Sequence, residues 1–246
     1  MKISGVEKES WRNFPTKQSY VMFTKECNFN CGYCHAKHVR EQTNLIDEKE
    51  IFEYLDGRKG WIDGVVLCGG EPTLQPDISD FAKKLKDKGL AVKLDTNGAN
   101  PDVVKRLLKD GTIDYVAMDV KGPKELYPLI TGTNVDIKKL EESMNLVQFF
   151  PKYEFRTTVI PIMRDYGTNF MTIDDVVKTA EWINSATRSS RHKYYLQTFY
   201  ARPKEEMIDE RLSSDVLPKE FHETPQSLLV SMKEKVSKIL TGCEIR

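Results

Sequence analysis

Residues 19–38, SYVMFTKECNFNCGYCHAKH, run a strand pattern directly into three clustered cysteines, Cys27, Cys31 and Cys34. In 19–25 Val21 and Phe23 alternate with their neighbours, the period of a half-buried β-strand. Three thiolates on one short loop suit a soft metal centre and leave one coordination position for an outside ligand. From this stretch alone two centres fit. One is an iron–sulfur cluster in which three irons each take a thiolate, and the other is a zinc site completed by His35 or His38.

Working outward, the same strand-then-helix grammar recurs. Asp47 opens a helix, with Glu50 placed for a capping box and Ile51, Phe52, Tyr54 and Leu55 on an apolar face. A strand at 64–68 precedes a helix from about Pro76, where Ile78, Phe81 and Leu85 share a face until Lys88-Gly89. A strand at 91–94 precedes a helix with Asn100 as N-cap and Pro101 in its first turn, followed by Val104, Leu107 and Leu108. Further strands fall at 113–118, 154–160 and 193–199, with helices at 136–149 and 172–185. Such alternation implies parallel strands with right-handed crossovers, in an open sheet or a barrel.

The placement of reactive residues decides between them. Cys27 follows the first strand, Gly69-Gly70-Glu71 the second, Asp95-Thr96-Asn97-Gly98 the third, Asp119-Val120-Lys121 the fourth and 161–164 the fifth. All lie at C-terminal strand ends, which converge on one mouth in a barrel and spread along an edge in an open sheet. The expected fold is α/β, a partial TIM-type (β/α)6 barrel with parallel strands and a C-terminal helical extension. The barrel takes residues 1–200, with its core at about 18–200. Residues 201–246 are expected to pack on or cap it through a helix carrying Leu228, Leu229, Met232, Val236 and Leu240 on one face.

The chain has 246 residues, with 37 Lys and Arg against 37 Asp and Glu, so no basic field attracts nucleic acid. The start, MKISGVEKESWRN, has no apolar signal region, and no 18-residue apolar run occurs. A cytoplasmic protein without membrane or nucleic-acid partners is expected. Five cysteines, three of them clustered, do not suggest a disulfide framework. Only Cys68 and Cys243 lie outside the group of three, too few for a second cysteine-bound centre of the same kind.

The C-x3-C-x-Tyr-C spacing, followed by Gly-Gly-Glu-Pro at 69–72, resembles the radical S-adenosylmethionine superfamily. The resemblance implies that Cys27, Cys31 and Cys34 bind a [4Fe-4S] cluster whose fourth iron is chelated by S-adenosylmethionine. It also implies a 5'-deoxyadenosyl radical that abstracts hydrogen from an unreactive C–H bond. By the same resemblance Gly69 and Gly70 lie against the methionyl amino group, and Glu71 helps hold that group or its loop. Tyr33 lies beside the adenine. Asp119 suits ribose hydroxyls and Lys121 the methionyl carboxylate, while Asp95 and Thr96 lie where related enzymes border a monovalent cation, and Asn97 beside them is expected among the cofactor-binding residues.

Within the superfamily, Leu-Asp-Thr-Asn-Gly at 94–98, Asp-Tyr-Val-Ala-Met-Asp-Val-Lys at 114–121 and Leu-Ile-Thr-Gly at 129–132 are similar to activating enzymes of glycyl radical proteins. Arg-Thr-Thr-Val-Ile-Pro at 156–161 and Tyr-Leu-Gln-Thr-Phe at 195–199 resemble the activators of anaerobic ribonucleoside-triphosphate reductase. The implied partners are that reductase and an electron donor such as flavodoxin or ferredoxin. Two departures stand out: Ala36-Lys37 follows Cys34-His35 where members often read Asn-Pro, and Cys68 stands where Ser, Thr or Gly is usual. Alternative readings are a small-molecule enzyme like the deazaguanine synthases of queuosine biosynthesis and a non-catalytic zinc-stabilised module.

Overall fold

The computed structural model describes residues 1–164 and 167–246. Its main sheet joins β1 (Ile3–Ser10), β2 (Ser19–Thr24), β3 (Gly64–Gly69), β4 (Ala91–Thr96), β5 (Tyr115–Asp119), β6 (Tyr153–Val159), β9 (Lys193–Thr198) and β10 (Gly242–Ile245) in that spatial order. Strands β2 to β10 of this sheet run parallel, and β1 is antiparallel at one edge. A separate antiparallel pair is formed by β7 (Pro161–Arg164) and β8 (Gly167–Phe170). The helices are α1 (Lys37–Glu41), α2 (Glu48–Gly57), α3 (Ile78–Asp87), α4 (Pro101–Asp110), α5 (Tyr127–Thr131), α6 (Ile137–Val147), α7 (Ile173–Thr187) and α8 (Gln226–Val236). The fold is the expected α/β partial barrel.

The period of two along each strand divides the buried residues into two sets. Tyr20 and Met22, Val65 and Leu67, and Val116 and Met118 join the large core beneath the helices, together with Phe155, Tyr194 and Leu196. Their sequence neighbours Val21, Val66, Tyr115 and Ala117 form a smaller cluster with Phe14 on the opposite face of the sheet, the barrel interior. Each fully buried aliphatic side chain contributes about 1.5–3 kcal/mol. Above the small interior cluster the inward positions turn polar, and there the fold opens.

The structure adds elements that the periodicity did not suggest. Strand β1 carries exposed Glu7, Lys8 and Glu9, as a solvent-facing edge strand does, so no alternation of apolar residues marks it. Residues 201–246 contain α8 with Leu229, Met232 and Val236 buried, but also β10, which pairs with β9 and extends the sheet. Two caps also differ. The Asp47 side chain accepts from the Lys49 amide without a reciprocal Glu50 contact. Asn100 makes no cap bond and donates instead to the Thr73 hydroxyl at 2.9 Å. Neighbouring loops outcompete the local cap in that second case.

Candidate active site

The loops after β2, β3, β4 and β5 close around one cavity of about 370 Å³. Its walls include Cys27, Cys31, Cys34, Tyr33, Gly69, Gly70, Glu71, Asp95, Thr96, Asn97, Asp119 and Lys121. Every site residue expected from the sequence therefore lines a single space. Convergence of strand ends is what a barrel, unlike an open sheet, delivers.

The cysteine loop is held in shape by backbone hydrogen bonds. The Asn30 amide donates to the Thr131 carbonyl at 2.7 Å, and the Cys34 amide to the Cys31 carbonyl at 3.0 Å. From the C-terminal segment, the Ile208 and Asp209 amides donate to the carbonyls of Cys34 and Gly32, each at 3.0 Å. Gly132 takes a left-handed φ of 61°, and a Cβ there would meet the Asn30 carbonyl at 2.7 Å. All three thiols are free. Burial pushes the Cys31 thiol up to about 12, with Lys121 opposing the shift.

The glycine pair has a definite local reason. The Gly70 amide donates to the Thr24 carbonyl at 2.7 Å and the Glu71 amide to the Glu26 carbonyl at 2.6 Å, zipping this loop onto the start of the cysteine loop. A Cβ on Gly69, whose φ is 100°, would meet the Thr24 nitrogen at 2.6 Å, and one on Gly70 would overlap the Glu26 carbonyl. Missing side chains let two loops touch.

Glu71 is the node of that contact. One carboxylate oxygen accepts from the Thr73 amide at 3.0 Å, the Thr73 hydroxyl at 2.5 Å and the Thr96 hydroxyl at 2.7 Å, and the other accepts from the Asn97 amide at 2.7 Å. Asn97 in turn donates its side-chain amide to the Asn28 side chain at 2.8 Å, inside the cysteine loop. Of the two roles expected for Glu71, this geometry serves the loop. Burial raises its carboxyl above the ordinary range, and the four donors oppose that shift. Glu71→Gln places an amide nitrogen against an N–H donor at one of the two oxygens. A stability loss of about 1–3 kcal/mol is expected in urea denaturation, with lower iron retention as Asn97 releases Asn28.

Charged residues form the cavity floor. Lys121 Nζ lies 2.9 Å from Asp119, Arg156 Nε lies 2.9 Å from the other Asp119 oxygen, and an Arg156 terminal nitrogen lies 3.1 Å from Asp95. Asp95 is also paired with Lys93, whose side chain is 2% exposed. Both sides of the network extend inward, since Glu154 accepts from Tyr115 and Arg246. Burial pushes the Asp119 carboxyl up, but Lys121 and Arg156 outweigh it and hold it down at about 2. The Lys121 ammonium sits 5.7 Å from the Tyr33 ring centre, placing that ring beside the charged floor. Asp95, expected beside a monovalent cation, thus has two protein cations as neighbours.

Lys93, Glu154 and Arg156 were not among the expected site residues. A signal for them exists in the sequence: charged residues at alternate positions of apolar strands, 93 and 95, then 154 and 156. Register then brings Asp119 opposite Arg156.

Residues 21–183 match the Radical SAM superfamily. A relative from Methanocaldococcus jannaschii named for glycyl-radical enzyme activation is 35% identical over 186 residues, 73% of this chain and 75% of its own length. A Pyrococcus horikoshii relative named as a GTP 3',8-cyclase is 27% identical over 222 residues, 85% of this chain and 69% of its own. Among solved structures, Streptococcus suis SuiB bound to its precursor peptide SuiA matches with a TM-score of 0.65 at 14% identity, covering 92% of this chain and 48% of that one. That likeness is one of fold.

The chain belongs to the radical SAM superfamily. It is a radical SAM enzyme whose cofactors are a [4Fe-4S] cluster and S-adenosylmethionine, and the zinc reading falls. The cavity suits these groups, with three free thiols on its wall, a carboxylate acceptor and an ammonium donor. Among the described residues, no helix is long and apolar enough to cross a membrane.

Proposed function

We propose that this enzyme installs a glycyl radical in a partner protein, an anaerobic ribonucleoside-triphosphate reductase. The observation carrying this reading is the 35% identity to a relative named for glycyl-radical enzyme activation, spread over three-quarters of that relative. In this reading Cys27, Cys31 and Cys34 hold the cluster, and the backbone of Gly69 and Gly70 borders the methionyl group. Glu71, Thr96 and Asn97 keep the loops in place. Tyr33 flanks the adenine, Asp119 accepts from ribose hydroxyls and Lys121 donates to the methionyl carboxylate. Asp95 and Arg156 fix Asp119 and Lys121 from below. When bound, the reduced cluster and S-adenosylmethionine supply a 5'-deoxyadenosyl radical as the hydrogen-abstracting reagent. The protein orients the reactants and keeps water away, with no side chain acting as acid or base. A cytoplasmic setting with a flavodoxin or ferredoxin as electron source completes the proposal.

A second reading, a small-molecule substrate, draws support from the cyclase relative. Anaerobic incubation of the holoenzyme with reductant, S-adenosylmethionine and the reductase separates the two. A glycine-centred doublet in electron paramagnetic resonance is expected. Its absence with every glycyl radical enzyme of the same genome overturns the activase reading.

A further inference from the structure

The charges inside the cavity are matched within its own walls. Asp95 is held by Lys93 and Arg156, Asp119 by Lys121 and Arg156, and Glu71 by four hydrogen bonds. The two remaining arginines of the lining lie elsewhere in it: Arg40 donates to Asn30, and Arg202 is exposed. An anionic substrate such as a triphosphate needs cations in depth beyond Lys121, which the proposed cofactor site uses, and the other floor cation, Arg156, is already shared between Asp95 and Asp119.

Among the described residues, two uncharged polar side chains on the strands of the lining make no hydrogen bond. Thr158 on β6 and Gln197 on β9 face each other in register, and both are half-buried. Among the described residues, neither the Thr158 hydroxyl nor the Gln197 amide makes a hydrogen bond. Strand neighbours in register lie about 4.8 Å apart, so the two groups present a short row of uncharged donors and acceptors. An extended residue offers its own N–H and C=O along one edge, as in the paired positions of an antiparallel ladder. A glutamine amide can accept from the first and donate to the second.

We infer that Thr158 and Gln197 form the substrate-reading subsite of this cavity and that it takes uncharged peptide backbone. Gln197 pairs with the N–H and C=O of one extended residue, and the Thr158 hydroxyl holds the adjoining peptide group. This rests on the glycyl-radical reading above and goes further, because it names the residues that select a peptide over an anionic small molecule. It also gives the mismatch a cost: a ligand that brings only phosphate or sugar to this position, with no adjacent N–H and C=O, leaves the half-buried Gln197 poorly paired.

The test uses anaerobically reconstituted holoenzyme with S-adenosylmethionine present. The probes are a short capped peptide with a central glycine and, as the anionic alternative, GTP. Calorimetric titration is expected to show tighter binding of the peptide. Gln197→Leu should weaken peptide binding about tenfold and Thr158→Val several-fold, with Thr158→Ser restoring it. Melting temperature and iron content report whether each variant is folded and loaded. Should Gln197→Leu fail to fold, the hydroxyl-deleting Thr158→Val and its serine rescue decide alone. Peptide affinity unchanged in folded variants overturns the inference and leaves the activase reading standing. Wild-type protein that binds GTP and not the peptide overturns both.

Discussion

Replacing Cys31 with alanine is expected to leave the protein without cluster iron and without S-adenosylmethionine cleavage, while the fold survives. The survival follows from how the loop is built. Asn30, Gly32 and Cys34 are pinned through their backbones to Thr131, Asp209, Ile208 and Cys31, and none of those bonds uses a thiol. Losing one buried sulfur leaves a small cavity, costing about 1–2 kcal/mol. The loss of iron follows from ligand number. In the proposed arrangement Cys27, Cys31 and Cys34 would be the cluster's three protein ligands, and a cluster so held cannot spare one. Cys243→Ala is the matched control: that thiol is 3% exposed in the helix-side core and lies outside the cavity lining. It should cost similar stability and keep the full iron content. Iron and sulfide analysis with far-ultraviolet circular dichroism reads both variants, and full iron in Cys31→Ala would remove the cysteine loop from the cluster site.

That contrast between loop and ligand also explains how much could be read from the residues in order. The parallel strands from β2 to β9 and the larger helices were legible because their apolar residues follow local patterns. In 64–68 an apolar run meets Gly-Gly, and in 101–110 Val104 and Leu107 recur at helical spacing behind Pro101. The thiols and the strand-end loops were legible because their spacing or position is local too. What stayed hidden depends on contacts between distant segments. Strand β10 is four residues long and exists as a strand through its pairing with β9. Asn100 looks like a cap until Thr73 arrives beside it from another loop. Glu71 could be assigned to cofactor or loop, and only the arrangement of Thr73, Thr96 and Asn97 decides which contacts it makes here. The polar floor was hidden for the same reason. Asp119 and Arg156 are 37 residues apart and meet through the register of β5 and β6.

That floor supports the prediction with the other large effect, Arg156→Met. Arg156 is 12% exposed and contacts Asp119 at 2.9 Å and Asp95 at 3.1 Å, with Glu154 at 4.0 Å. Methionine fills much of the same volume and supplies no charge. Each carboxylate keeps one partner, Lys121, Lys93 and Arg246 in turn, so the cost is below that of leaving a buried charge alone. A loss of about 2–4 kcal/mol is expected at neutral pH. The pH dependence identifies the cause. Asp119 is held down at about 2 in the folded chain, against roughly 3.9 when unfolded. Its pairing therefore contributes fully above about pH 4, and the contribution is lost as pH falls towards 2. Removing Arg156 lets the folded value rise towards the unfolded one, so less stability is left to lose in acid. Urea unfolding of both proteins from neutral pH downward should show the gap between them narrowing below about pH 4. A gap of constant size would mean that Arg156 stabilises by packing alone. Arg156→Lys is expected to recover only part of the loss, because a single ammonium cannot span Asp95 and Asp119 as the planar guanidinium does. In the proposed arrangement Arg156→Met should also weaken S-adenosylmethionine binding, since Asp119 then keeps only its contact to Lys121 and loses the guanidinium that fixes it from below.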